Sequence, residues 1–418
     1  MGEATAEARV MGFVQALEVM LRHALGVRAT GLEQVALTAS AGRVLAAELR
    51  ADRDQPPFDR STRDGFAVRA AEWSAGKRLR LVGQVRAGEA WTGGALAVGC
   101  AVEIMTGAPV PQGVDAVAMI EHAEQAGGEV WPAAGRSLRV GENVVAQGSE
   151  ALQGEVVVAT GTEIGAAEIA LAAGCGRAEL AVFMRPTVTI VATGDELVEL
   201  DEAPGTHQIR NSNSYALAAM VGAAGGQARR SAIARDTRED LRARIGEGSE
   251  SQLMILSGGV SAGKYDLVEE VLAEFGVEFF FTGVRMQPGK PVVFGRMRRS
   301  ESADAHEWTY FFGLPGNPVS TQVTFHCFVE PLLRAMCGAG VGGPKFVQAT
   351  LAEDVRGKAG LTRILPAHLG YDLTRPEVTL VGWQGSGDLA ANARANCYAV
   401  LPDGVDLLAG DVITVLLR

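Results

Sequence analysis

LMILSGGVSAGKYDLVEEVLAEFG, residues 253–276, decides the fold. An apolar run, LMIL, meets a glycine turn, and KYDLVEEVLAEFG then reads as a helix. Gly258, four residues and Gly263-Lys264 nearly spell a phosphate-binding P-loop. A P-loop next needs Ser or Thr, whose hydroxyl binds Mg²⁺. This chain has Tyr265 and then Asp266. The stretch therefore reads as a strand, a glycine turn and a helix, with carboxylates in place of the hydroxyl.

The same unit repeats on either side. VTIVATGDE is a buried strand ending in a polar turn, and NSNSYALAAMVGAAG follows as a helix with Asn211, Ser212 or Asn213 as N-cap. ARRSAIARD reads as a strand and TREDLRARIGEG as a helix. WTYFFGLPGN is a strand and turn, and PVSTQVTFHCFVEPLLRAM closes as a helix. Alternating β and α over residues 186–337 predicts a mainly parallel sheet with helices on both faces. Ligands of such sheets bind at the carboxyl ends of the strands.

The flanking segments differ. MGFVQALEVMLRHAL repeats apolar residues at helical steps, TASAGRVLAAELRA is a second candidate helix, and residues 151–174 return to helix. Between them, short apolar runs separated by Gly and Pro over residues 66–147 predict a β-rich module, inserted if the two helical stretches pack together. After Gly338–Gly343, the best linker, FVQATLAED, EVTLVGW, CYAVLPD and DVITVLLR predict strands of a small barrel or sandwich.

With 418 residues, the chain exceeds one hydrophobic core, so roughly two to four domains are expected. Hydrophobic residues make up 47% and charged residues 21%, which places it among soluble globular proteins. A net charge of −11 argues against duplex nucleic acid or an anionic membrane as a partner, while leaving room for a small anion in a local positive pocket. The five Cys are widely spaced without C-x-x-C, which predicts reduced thiols and a cytoplasmic setting. The six His show no zinc-ligand spacing, and no G-x-S-x-G elbow occurs, so zinc and ordinary serine hydrolysis are disfavoured.

Three strand ends carry suggestive turns: TGDE (193–196), SGG (257–259) and GLPGNP (313–318). In a parallel sheet they open onto one edge, where glycines would let backbone N–H groups approach a phosphate. Glu196 and Asp266 offer hard oxygens suited to Mg²⁺. QPGKP (287–291) presents Lys290 from a proline-bracketed loop as a point charge for an oxyanion, or as an ordinary surface turn. Asp59 and Asp64 in FDRSTRDG, and Thr106 in MTGAP, fit metal or anion contacts and plain turns alike.

Together, FDRSTRDGFAVR, IMTGAPVP, TGDEL, SGGVSAGKYD, PGKP and GLPGNPVS, in this order, resemble the molybdopterin molybdenumtransferase family, which is similar to the gephyrin E domain. The resemblance runs from about residue 11 to 418. It implies a multidomain α/β and β fold. An elongated helical domain would take residues 8–50 plus 148–185 and an inserted β-rich domain 51–147. An α/β molybdopterin-binding domain would take 186–337 and a C-terminal β-barrel-like domain 344–418.

The implied activity is insertion of molybdate into adenylylated molybdopterin with release of AMP, assisted by Mg²⁺. The implied assembly is a homodimer whose cleft lies between the inserted domain of one subunit and the last two domains of the other. Other molybdenum cofactor biosynthesis proteins are further partners the resemblance allows; nucleic acid and membrane are not. The resemblance also leaves two rivals: a molybdopterin adenylyltransferase-like enzyme, whose likeness would reach residues 186–337 only, and a non-catalytic scaffold of the gephyrin type.

Residue by residue, the resemblance implies catalytic roles for Asp59, Glu196, Asp236, Asp266 and Lys290. Asp59, Asp195, Glu196 and Asp266 are the implied metal ligands. Substrate contacts fall on Thr106, Thr193, Gly194, Ser257, Gly258, Gly259, Pro291, Pro315, Gly316, Asn317 and Ser386. The chain departs from the family pattern at Arg60 and Arg63, at Gln287 where a cation is usual, at Glu150 in place of Asp, and at Leu361 where Arg is expected, with Arg363 two residues on. These departures bear on the oxyanion pocket and leave the choice between molybdate and tungstate open.

Overall fold

The computed structural model describes residues 10–29, 31–259, 267–299, 308–370 and 375–418. Lys264, Tyr265 and Asp266 lie outside the described residues.

Four parallel strands form the heart of the central sheet, ordered Gln227–Arg230, Thr187–Ala192, Leu253–Ser257 and Trp308–Leu314. Val293–Arg298 and Glu278–Phe281 extend it as antiparallel edge strands. Side chains alternate across the pleat. Val188, Ile190, Ile255, Phe312 and Leu314 point to one face, under Leu217 and Val221 of helix Asn213–Ala223 and Val319 and Val323 of helix Pro318–Thr324. Val191, Met254, Leu256 and Phe311 point to the other, under helices Arg238–Gly248 and Leu267–Glu274. Near-continuous apolar strands are what a sheet buried on both faces requires.

Helix Phe13–Leu25 buries Phe13, Ala16, Met20 and Ala24 at three- and four-residue steps. It packs on the central sheet's first face, with Phe13 edge-on to Phe328 at 6.0 Å. The second candidate helix, TASAGRVLAAELRA, is not one. It holds the end of a 3₁₀ turn (Leu37–Ala39), a turn at Gly42 with φ 69°, and strand Leu49–Arg50. Val44 and Leu45 bridge to Glu163 and Val182, so tertiary pairing overrides the local periodicity. Residues 151–174 are likewise only partly helical. The β-branched run Val156–Val158 pairs with Leu49–Arg50, and the helix is confined to Ala166–Gly174.

Residues 65–132 form a sheet ordered Ala116–Met119, Gly65–Val68, Cys100–Ile104, Leu79–Val85, Glu129–Pro132 and Ala123–Ala126. Both of its faces are covered, one centred on Val102 and Ile104, the other on Phe66 and Trp73.

The C-terminal strands close on themselves. Thr362–Gly370 pairs with Glu377–Leu380, which pairs with Phe346–Leu351, then Val412–Leu417, then Cys397–Leu401, and back to Thr362–Gly370. Full closure removes the free edges and gives a small barrel. Strand Thr362–Gly370 and helix Leu389–Arg394 are additional to the strands read from the sequence. Strand Gly283–Gln287 joins the barrel to the rest, pairing with Val10–Gly12 on one side and with Thr362 and Arg363 on the other.

All five cysteines are buried and free of disulfides. Among the described residues no helix is long and apolar enough to cross a membrane.

His23 stacks on Phe280 at 3.6 Å beside Phe294 and Tyr310. Burial, then the charge of Arg296, lower its pKa below 6.5. The unfolded state therefore binds a proton that the folded state resists, and stability falls as pH drops below 6.5. Urea midpoints should fall less between pH 7 and 5.5 in His23→Phe than in the parent protein; equal falls would contradict this.

Candidate active site

The three strand-end turns come together at the carboxyl edge of the parallel sheet. Thr193 prolongs its strand, donating its N–H to the Ser257 carbonyl at 3.0 Å and bridging in parallel to Ala234. Gly194 donates to the Ala234 carbonyl at 3.1 Å, and Gly258 to the Leu314 carbonyl at 3.1 Å. Gly258 has φ 97°, and a Cβ there would lie 2.5 Å from the Thr193 carbonyl oxygen. Gly259 has φ 68°, and its Cβ would lie 2.7 Å from Thr193 Oγ1. Only glycine permits this approach. The Gly258 amide thus bonds the second turn to the third, and the Gly194 amide ties the first turn to Ala234, rather than facing a phosphate.

The third turn closes the group. Gly316 sits so that a Cβ would be 3.5 Å from Gly258 Cα. Asn213 ties the turns laterally: its side-chain amide reaches Ser257 Oγ at 3.0 Å, the Gly316 carbonyl at 2.8 Å and Thr321 Oγ1 at 3.3 Å. Thr321 Oγ1 donates to the Pro315 carbonyl at 2.6 Å. Of the three N-cap candidates, Asn211 is the one whose Oδ1 accepts a helix amide, from Ser214 at 3.2 Å. Nothing in the sequence marks Asn213 as the residue spanning two turns. Thr193 Oγ1 is buried without a hydrogen-bond partner among the described residues. A ligand donor or acceptor entering this edge would satisfy it.

Asp195, Glu196 and Asp236 gather beside the first turn. The Asp236 amide donates to Asp195 Oδ1 at 3.3 Å. Desolvation, then the neighbouring Asp195 and Glu196 carboxylates, raise the Asp236 pKa above its usual 3.8. Arg235 donates to the Asp195 carbonyl at 3.3 Å, placing a guanidinium on the rim. Among the described residues no group of three or more His, Cys, Asp or Glu is placed to hold a metal ion. Mg²⁺ commonly takes one or two carboxylates and completes its shell with water and substrate phosphates, so the acidic turn fits it without a protein cage.

Lys290 and Ser386 flank the helix that starts at the third turn. The Val319 amide donates to the Ser386 carbonyl at 3.0 Å. Gly289, at φ 110°, approaches Thr324 so closely that a Cβ would lie 2.6 Å from Cγ2. The Lys290 carbonyl accepts from Val284 at 2.9 Å, and its exposed ammonium and Pro291 follow from that pinned loop.

Asp59 and Thr106 lie in the six-stranded unit and its margin, away from these turns in sequence and bonding. Asp59 Oδ1 accepts from the Gln147 amide at 2.7 Å. Thr106 Oγ1 donates to Asp64 Oδ1 at 2.8 Å, and its amide donates to the same oxygen at 2.6 Å. These bonds hold the Asp64 carboxyl below its usual pKa. Asp59, Thr106 and Asp64 therefore shape their own loops, and no hydrogen bond among the described residues joins them to the strand-end turns.

Residues 11–176 match the MoeA N-terminal region (domain I and II), residues 189–335 a probable molybdopterin binding domain, and residues 348–417 the MoeA C-terminal region (domain IV). The chain is 32% identical over 369 residues to a molybdopterin molybdenumtransferase of Synechocystis, covering 87% of this chain and 89% of that one. It is 31% identical over 393 residues to the protein of that name from Staphylococcus aureus, covering 92% and 90%. A solved molybdopterin biosynthesis MoeA protein from Pyrococcus horikoshii superposes with a TM-score of 0.73 at 30% identity, covering 98% of this chain and 99% of that one. With relatives aligned over nearly their whole length and all three regions matched in order, the chain belongs to the molybdopterin molybdenumtransferase (MoeA) family.

Proposed function

We propose that this chain inserts molybdate into adenylylated molybdopterin and releases AMP, as a cytoplasmic enzyme of molybdenum cofactor biosynthesis. The observation that carries the reading is the convergence of the turns at Thr193–Glu196, Ser257–Gly259 and Pro315–Asn317 on one sheet edge, with an acidic group beside the first turn and the Lys290 loop packed against Thr324 of the helix that starts at the third. Family membership selects the substrate class.

In this reading the rigid turns hold the phosphates and pterin, so that binding energy is spent on orientation. Thr193 Oγ1 and Asn317 present polar groups from a backbone that has little freedom to move. Mg²⁺, when bound, offsets charge on the adenylate phosphates. Asp195 and Glu196 are the residues that would hold it. Asp236, whose pKa is raised by burial and then by the Asp195 and Glu196 carboxylates, stands beside this group as the candidate general acid–base residue. Lys290 and the Ser386 loop receive the oxyanion near the pterin. The six-stranded unit of a second copy, with its Asp59 and Thr106, closes the cleft in a homodimer. The domain boundaries expected from the sequence belong to the same proposal.

The direct test is AMP release by the purified protein from adenylylated molybdopterin with molybdate and Mg²⁺. Glu196→Gln should slow that release at least about 100-fold while leaving the fold intact by circular dichroism. Full turnover in this variant would remove Glu196 from the mechanism. Asp236 should titrate at lower pH once Mg²⁺ is added, because a cation beside it favours the carboxylate; an unmoved carbon-13 carboxyl titration would place the ion elsewhere. Gly258→Ala forces a side chain into a left-handed position against the Thr193 carbonyl, so unfolding should become easier by about 1–3 kcal/mol. A variant as stable as the parent would show that the turns are not in contact.

A further inference from the structure

We propose that Lys358 is a specificity-determining cation of the oxyanion pocket, acting with Lys290 on a tetrahedral dianion. This rests on the proposed function above, and nothing in the sequence pattern assigns Lys358 a role.

Gln287 occupies a position of the loop where a cation is usual, and its side chain carries no charge of its own. Its amide oxygen instead accepts a hydrogen bond from Lys358 Nζ at 3.1 Å. The ammonium is thereby brought to the loop that carries Lys290 three residues later. A lysine ammonium has three donors, so the bond to Gln287 leaves others for an anion, and the Gln287 side-chain NH₂ adds neutral donors.

Lys358 is carried by a fixed turn. The Gly357 amide donates to Asp406 Oδ1 and the Gly360 amide to Asp403 Oδ1, each at 2.6 Å. The Lys358 carbonyl accepts from the Gly404 amide at 3.2 Å. A Cβ on Gly357 would lie 2.7 Å from the Val405 carbonyl carbon, so the turn rests directly on backbone. Asp403 and Asp406 each give one carboxylate oxygen to these amides. The loop opposite is equally restrained, by Gly289 against Thr324 and by the Val284 bond to the Lys290 carbonyl.

The sequence pattern expects a cation at position 361, which holds Leu. Arg363, two residues on, lies beside Gln287 in the parallel register and donates from its guanidinium to the carbonyl of Arg356. Lys358 Nζ, by contrast, hydrogen-bonds the Gln287 side chain itself.

The test is equilibrium binding of molybdate to the full-length protein, measured without the pterin, with tungstate and sulfate as competitors. Lys358→Gln should weaken molybdate binding about 5- to 10-fold at low salt, with the difference shrinking as ionic strength rises. Lys358→Arg should stay within about 2-fold of the parent, since a single charge at this site is what counts. Thermal unfolding checks that the variants are folded. Unchanged binding in a folded Lys358→Gln protein, or no molybdate binding by the parent, would overturn the proposal. Binding that depends on Lys358 in a protein that releases no AMP would preserve the oxyanion site and refute the assigned reaction. Competition by sulfate equal to that by tungstate would mark a general dianion site and overturn the specificity role.

Discussion

Backbone crowding at the carboxyl edge of the central sheet is the constraint on which the site depends. Gly258 and Gly259 press against Thr193 with no room for a Cβ, and Gly316 approaches Gly258 in turn. Three loops far apart in sequence become one surface because no side chains separate them. The Thr193 amide bonds to the Ser257 carbonyl and the Gly258 amide to the Leu314 carbonyl, which stiffens the edge. In the proposed function, polar side chains around this edge supply the chemistry: Thr193 Oγ1, the Asp195–Glu196 pair and Asp236, with Lys290 on a loop packed against Thr324.

A second constraint links this edge to the barrel. Strand Gly283–Gln287 belongs by position to the α/β region, yet it hydrogen-bonds to the barrel strand Thr362–Gly370 and to the N-terminal Val10–Gly12. The loop that follows it is therefore set by both units at once. Helix Pro318–Thr324 repeats the theme. It begins at the third turn, bonds to Ser386 through Val319, and packs on Gly289. Asn392 of the barrel adds a 2.8 Å bond to Gln322. The third turn, the Ser386 loop and the Gly289–Lys290 loop thus share one support.

The central α/β unit was legible in the sequence because both sheet faces are buried and three of its strands run into glycine turns. Strong apolar runs, such as Leu253–Leu256, leave little choice of element. The segments around Val44 and Val156 were not legible as strands. Their small apolar residues carry a helical rhythm, and their pairing partners lie more than a hundred residues away. Strand Thr362–Gly370 was hidden by Pro366 and by weak alternation. In the site, the glycine turns and the acidic pair were readable as local motifs. Asn213 and Lys358 were not, because each acts by reaching a different loop in three dimensions. The sequence also suggested free amides at the glycines, whereas the fold uses those at Gly194 and Gly258 within the sheet edge.

If the three turns act as one substrate-holding surface, amide hydrogen exchange with and without adenylylated molybdopterin will reveal it. Residues 193–196, 257–259 and 315–317 should gain protection together on binding, with the 287–291 loop responding when molybdate is added. Protection confined to one turn, or appearing on another face of the sheet, would contradict it.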